Sequence, residues 1–167
     1  MKHCQRGSRR LRARPRADVA PFWAAKACGL IFHKGGGMAQ FSGGCLCGAV
    51  RLVATGRPYR VGLCHCMDCR KHHGALFGAW AIFSEAAVTI SGETRDYQGR
   101  FFCPSCGSSV FSRSGDEIEV SLGSLDAPDQ LTPNYELWTC RRESWLPEFP
   151  HIRQYQHDRD QMVSWEG

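Results

Sequence analysis

RFFCPSCGSSVFS, residues 100–112, sets two short runs rich in aromatic and β-branched residues on either side of Cys103-Pro-Ser-Cys106-Gly107. The runs read as strands and the cysteine turn as their connection. A C-x-x-C turn points both sulfurs inward, its backbone amides can hydrogen-bond the thiolates, and Gly107 permits the tight exit. A redox dithiol is the competing reading, but no βαβ pattern frames these cysteines. The expectation for the whole chain is therefore a mainly β protein of short strands held around metal knuckles.

A second pair, Cys45-Leu-Cys47-Gly48, supplies the rest of such a site. With i, i+2 spacing on an extended segment, both sulfurs would leave on one face. Cys45, Cys47, Cys103 and Cys106 together offer four thiolates, which satisfies one tetrahedral zinc. That site would clamp two distant parts of the chain and so contribute to folding.

Three more thiols lie in CHCMDC, residues 64–69. Cys64, Cys66 and Cys69 leave a tetrahedral metal one ligand short, which is the arrangement of a catalytic zinc whose last position takes water or substrate. His65, His72 or His73 would close the site and make it structural; we expect these imidazoles to face solvent or a pocket wall. Arg70 and Lys71 follow directly, and their charge either offsets three thiolates or is simply solvated. Phe77, Trp80 and Phe83 come next, as pocket lining or as an ordinary core strand.

Elsewhere the pattern is strands and turns. Val50, Leu52 and Ala54 alternate with Arg51, Val53 and Thr55; Ile118, Val120 and Leu122 alternate with Glu117, Glu119 and Ser121. Further strands are expected at 76–83, 88–90 and 135–139, with irregular structure over the sheets from SWLPEFPHIRQYQ, residues 144–156. No stretch shows a sustained helical period, and no run of apolar residues is long enough to span a membrane.

Charge divides the chain. Residues 1–37 carry nine Lys/Arg and a single acid, Asp18, whereas the remaining 130 hold 12 basic and 15 acidic residues, net −3. The formal +5 of the whole chain therefore belongs to the leader, and a nucleic-acid partner is not expected for the globular part. RGSRRLRARPRA is too polar to bury a core, so 1–37 reads as a disordered basic leader: a start-site artefact ahead of Met38, a targeting segment or a basic arm. Residues 38–167 read as one zinc domain. Ten cysteines in tight spacings, without a secretory signal, point to metal in a reducing compartment, hence a cytoplasmic protein. Cys4, Cys28 and Cys140 have no evident role.

The order GGCLCGAVR, CHCMDCRKHHGALFGAW, FCPSCGSSVF resembles the glutathione-dependent formaldehyde-activating enzyme family, which shares its domain with centromere protein V. The resemblance covers residues 38–150. It implies an Mss4-like fold of short antiparallel strands and two Zn2+ per chain. The structural zinc would sit on Cys45, Cys47, Cys103 and Cys106, and an open catalytic zinc on Cys64, Cys66 and Cys69. It implies a carbon–sulfur lyase that adds glutathione, or a similar small thiol, to formaldehyde or another small aldehyde. Two other readings stay open: a non-enzymatic zinc-stabilised binding module using the basic leader as an arm, and a metal-responsive or redox role for the three-thiol cluster. The residues set no oligomeric state.

Overall fold

The computed structural model of the chain describes residues 38–159. The basic leader expected over 1–37, with Cys4 and Cys28, lies outside the described residues. The first strands are β1 (Gln40–Gly44), β2 (Arg51–Thr55) and β3 (Arg60–Cys64), followed by one short helix, α1 (Met67–His73). Next come β4 (Gly78–Ser84), β5 (Val88–Ser91), β6 (Arg95–Tyr97) and β7 (Arg100–Phe102). β8 (Ser109–Ser114), β9 (Glu117–Ser121), β10 (Tyr135–Leu137) and β11 (Arg153–Gln154) complete the set. The protein is mainly β, as the residue pattern predicts. No helix among the described residues is long and apolar enough to cross a membrane.

The strands form a three-stranded sheet, β1-β2-β5, and an eight-stranded sheet, β11-β10-β3-β4-β9-β8-β7-β6. The alternation read in the sequence decides how they pack. Leu52 and Ala54 of β2, and Ile118 and Val120 of β9, are all essentially inaccessible to water. They meet Phe41, Ala81, Phe83 and Phe111 in one continuous core between the sheets. Phe41 and Phe83 touch across it, with ring centroids 5.9 Å apart. Most pairings are antiparallel, but β10 runs parallel to both β3 and β11. Antiparallel strands are what the family resemblance implies, and β10 is the exception: the long connection after β9 returns it to the free edge of β3.

Period two also fixes the opposite face of the large sheet. Cross-strand register aligns Cys64 with Gly78, Gly62 with Trp80, and Arg60 with Ile82, while Ile82 pairs onward with Glu119. Residues two apart share a face, so Arg60, Gly62, Cys64, Trp80, Ile82 and Glu119 all look away from the core. Tyr135 pairs with Gly62, and a Cβ at Gly62 would stand 2.3 Å from the Tyr135 ring. Gly62→Ala is expected to cost about 2 kcal/mol through overpacking. A melting curve superimposable on the wild type would show that the ring simply moves aside.

Candidate functional site

Cys45 follows β1 and Cys103 follows β7, and both are buried in the core. Cys45 and Cys47 meet through a turn, in which the Gly48 amide donates to the Cys45 carbonyl at 3.1 Å. This corrects the extended geometry expected for the C-x-C pair: the turn, not strand alternation, brings the two sulfurs to 3.5 Å. On the other side the Gly107 amide donates to the Cys103 carbonyl at 2.8 Å, with Gly107 in the left-handed region at φ 76°. The Cys47 and Cys103 sulfurs are 3.7 Å apart, and all four sulfurs lie within 4.8 Å of one another.

The edge of a tetrahedron of thiolates around zinc is about 3.8 Å, given a zinc–sulfur bond of about 2.3 Å. The observed separations fit that figure. The surroundings also fit a thiolate set. Val50 N–H donates to Cys45 Sγ at 3.2 Å, and the Cys106 sulfur lies 3.3 Å from the Ser108 hydroxyl. Burial opposes the Cys106 thiolate, but Ser108 and the Cys47 amide outweigh it and bring the thiol down to about 6. Cys47 moves the other way. The Ala49 amide favours its thiolate, yet the crowding of Cys45 and Cys106 pushes it up to about 12. Four sulfurs this close cannot all be anionic without a cation among them.

The second cluster stands where β3 gives way to α1. Cys64 ends the strand, Cys66 is the N-cap of the helix, and Cys69 lies in its first turn. The Cys66 sulfur accepts a hydrogen bond from the Cys69 amide at 3.4 Å. All three sulfurs lie within 4.8 Å, and among the described residues no histidine nitrogen joins them. The Cys64 thiol hydrogen-bonds to Cys69, holding Cys69 down to about 7 and raising Cys64 itself. Burial raises Cys66 as well. One thiolate is thus readily formed and the other two are disfavoured, which is how a donor set behaves when it awaits a cation.

The three histidines settle differently from expectation. His65 is fully buried, not on a solvent-facing wall. Its Nε2 lies 3.1 Å from Glu136 Oε2, and Arg142 donates to the other Glu136 oxygen at 2.9 Å. This buried carboxylate fixes the chain between Cys64 and Cys66 from behind. Glu136→Gln is expected to destabilise the fold by about 3 kcal/mol, because Arg142 loses its counter-charge on Glu136 and His65 its carboxylate hydrogen-bond partner in a dry environment. A denaturation midpoint unchanged from wild type would contradict this. His72 bonds the Ser109 hydroxyl at 2.7 Å, and His73 stacks edge-on against Trp80. Burial, with lesser repulsion from His72 and Arg100, holds His73 down to about 4. Arg70 is engaged by Glu143 and the Arg141 carbonyl rather than by the thiols.

A cavity of about 310 Å³ opens on the face of the large sheet beside this cluster. Cys64 and Cys69 line one part of it, Trp80 and Tyr135 its middle, and Arg60 and Glu119 its far part. Of the aromatic residues after the cluster, Trp80 lines the cavity beside Cys69 and its indole favours the Cys69 thiolate, whereas Phe83 belongs to the core and Phe77 packs against His65. Arg60 forms a bidentate ion pair with Glu117. Glu119 has no such partner, and burial raises its pKa. Glu119→Gln is expected to stabilise the protein by about 1 kcal/mol near neutral pH. Because burial raises the folded-state pKa, the gain should disappear as pH falls to the ordinary carboxylate range, where both forms are neutral. Equal stability of the two proteins across that range would count against a desolvated charge.

Sequence reading placed all seven cysteines in their two groups and offered Trp80 as pocket lining, but missed the rest of the cavity wall. Arg60, Glu119 and Tyr135 in that wall carry no motif, nor does Glu136 behind the cluster. The alternation around Glu119 was visible, yet it marked only a face, not what that face looks onto.

Comparison with known proteins adds two findings. Residues 40–141 match the family model described as glutathione-dependent formaldehyde-activating enzyme. A stretch of 79 residues is 28% identical to an uncharacterized lyase of Schizosaccharomyces pombe, covering 44% of this chain and 58% of that relative. The chain thus spans less than two thirds of that relative's length.

Proposed function

The chain belongs to the glutathione-dependent formaldehyde-activating enzyme family, and from that premise we propose that it is a zinc-dependent carbon–sulfur lyase. In this reading it adds a small thiol of the glutathione type to formaldehyde or another small aldehyde. Cys64, Cys66 and Cys69 hold the catalytic zinc; Cys45, Cys47, Cys103 and Cys106 hold a structural one, two Zn2+ per chain. The domain is residues 38–167. With eight free thiols among the described residues, a reducing cytoplasm is its natural setting.

One observation carries the proposal: a three-thiol cluster with no fourth ligand among the described residues forms part of the wall of a cavity large enough for a thiol substrate. A thiolate-only donor set selects a borderline-soft cation such as zinc. The bound zinc would supply positive charge that stabilises a substrate thiolate at neutral pH. The chain's own residues do the rest. Glu136 and His65 hold the cluster's backbone in place. Trp80, beside Cys69 in the cavity wall, favours the thiolate form of that sulfur. The aliphatic side chains of Ile82 and Leu137 exclude water from the space where thiol and carbonyl meet.

The reaction balances simply. The thiol loses its proton, sulfur forms a bond to the carbonyl carbon, and the carbonyl oxygen takes up a proton to give the S-hydroxymethyl product.

The test is metal content by elemental analysis together with turnover of the reduced full chain. Two zinc per chain and S-hydroxymethylglutathione formation above the uncatalysed rate are expected. One zinc, or a rate indistinguishable from solution, would overturn the reading. The binding-module alternative rests on residues 1–37, outside the described residues.

A further inference from the structure

Glu119 is the anomaly of the cavity. Its side chain lies on the site face of β9, opposite Ile82, and is mostly withdrawn from water. Among the described residues its carboxylate makes no hydrogen bond and no ion pair. The cations around it are committed elsewhere: Arg60 to Glu117, Arg100 to Asp68 and the Gln98 carbonyl, and Arg113 to Glu85. Arg159, also in the cavity wall, lies over the Tyr135 ring. The second acid of the wall, Asp158, already accepts from the Trp138 indole at 2.8 Å. A desolvated carboxylate without a partner is costly to keep, and such costs concentrate where a ligand is bound.

We propose that Glu119 is the specificity-determining residue of this site and takes the primary ammonium group of the thiol substrate. The sheet geometry sets the length of that substrate. Glu119 is registered with Ile82, and Cys64 with Gly78, four residues earlier on β4. Strand rise is about 3.3 Å per residue and each of the two strand spacings about 4.8 Å, so the two backbone positions stand roughly 16 Å apart. The cysteine and glutamate side chains, both lining the cavity, take up part of that and leave on the order of 10 Å between sulfur and ammonium. An extended γ-glutamyl-cysteinyl unit covers roughly that span, whereas a simple aminoalkanethiol is too short. Trp80, Ile82 and Tyr135 would flank the chain between its two ends. The site would thus select thiols with a distant free amine over amine-blocked ones. This deepens the lyase reading and rests on it only for the position of the sulfur.

The experiment measures binding, so that it does not depend on turnover. Zinc-loaded full-length protein is titrated by calorimetry with S-methylglutathione and with its N-acetylated form, neither of which has a free thiol. Wild type is expected to bind the free amine about tenfold more tightly, the scale of one charge-assisted hydrogen bond in a partly buried site. Glu119→Gln should abolish that preference while leaving affinity for the N-acetyl form nearly unchanged. Glu119→Asp, which keeps the charge on a shorter arm, should retain part of it. The melting temperature of Glu119→Gln should not fall, which separates lost recognition from lost structure. Equal affinity of wild type for both probes, no binding of either, or a preference that survives Glu119→Gln would overturn the proposal. A protein that shows the amine preference but no thiol–aldehyde turnover would sink the lyase reading and leave this assignment standing.

Discussion

Cys103→Ser is expected to lose one zinc equivalent and to unfold the chain at temperatures where the wild type is fully native. Cys103 is completely buried, and its sulfur belongs both to the four-thiol cluster and to the core between the sheets. Through it the β7–β8 turn is tied to the turn after β1, 56 residues away from Cys47 in sequence. A structural zinc of this kind contributes on the order of 10 kcal/mol to folding, comparable with the entire stability of a typical domain. Serine removes the soft ligand and leaves an unpaired hydroxyl in an apolar setting, and the remaining three thiols crowd one another without a full complement around the cation. Circular dichroism on heating, read beside metal content, decides it. A variant with native melting behaviour and two zinc per chain would show that the knuckle is not what holds the two sheets together. Strong chelators should reproduce the effect in the wild type.

The second large effect falls on activity and spares the fold. Cys66→Ser should reduce thiol–aldehyde turnover by at least about 100-fold while the melting temperature stays near that of the wild type. Loss of a residue that merely orients a ligand costs about 10- to 100-fold, so loss of a ligand itself should cost at least the upper end of that range. The fold is spared for a local reason. Cys66 caps α1, its sulfur accepting from the Cys69 amide, and serine is among the best N-cap residues. The substitution therefore keeps the helix and removes the metal ligand. Turnover within a few-fold of wild type would remove Cys66 from the chemistry. A collapse in stability would show instead that the three-thiol cluster is structural.

The two variants separate what the two thiol clusters do. One lies in the core, where its donors are packed on by Val50, Leu52 and their neighbours, and its loss is felt by everything around it. The other lies beyond the core face, beside a cavity, and is supported from behind by His65, Glu136 and Arg142. Substitutions in that support, such as Glu136→Gln, should lower both stability and metal retention, whereas Glu119→Gln should remove recognition without any loss of stability.

Much of this was legible before any fold was known. Cysteine spacing is a local property: a C-x-x-C turn exiting through glycine presents two sulfurs whatever surrounds it, and seven such thiols sort into four and three by count. Alternation is local too, so β2, β7, β8 and β9 stood out as strands, and the apolar positions of that alternation, Leu52, Ala54, Ile118 and Val120, are the buried ones. What escaped was set by partners distant in the chain. β1 runs through QFSGG, which reads as a glycine-rich break, and becomes a strand because β2 pairs with it along its whole length. β3, RVGLC, shows little polar alternation because its outward positions Gly62 and Cys64 are covered by Tyr135 and the cavity wall rather than by open water.

The amino-acid sequence by itself determined that this is a β protein built on two thiol clusters, because ligand count and strand period depend only on near neighbours. Which histidine is buried, that Arg60 is spent on Glu117 while Glu119 stands unpaired, and that both ends of a cavity belong to strands adjacent only in the sheet were decided by the tertiary structure. Burial and charge pairing are properties of surfaces brought together by folding, and no spacing along the chain encodes which side chain will be left facing the substrate without a partner.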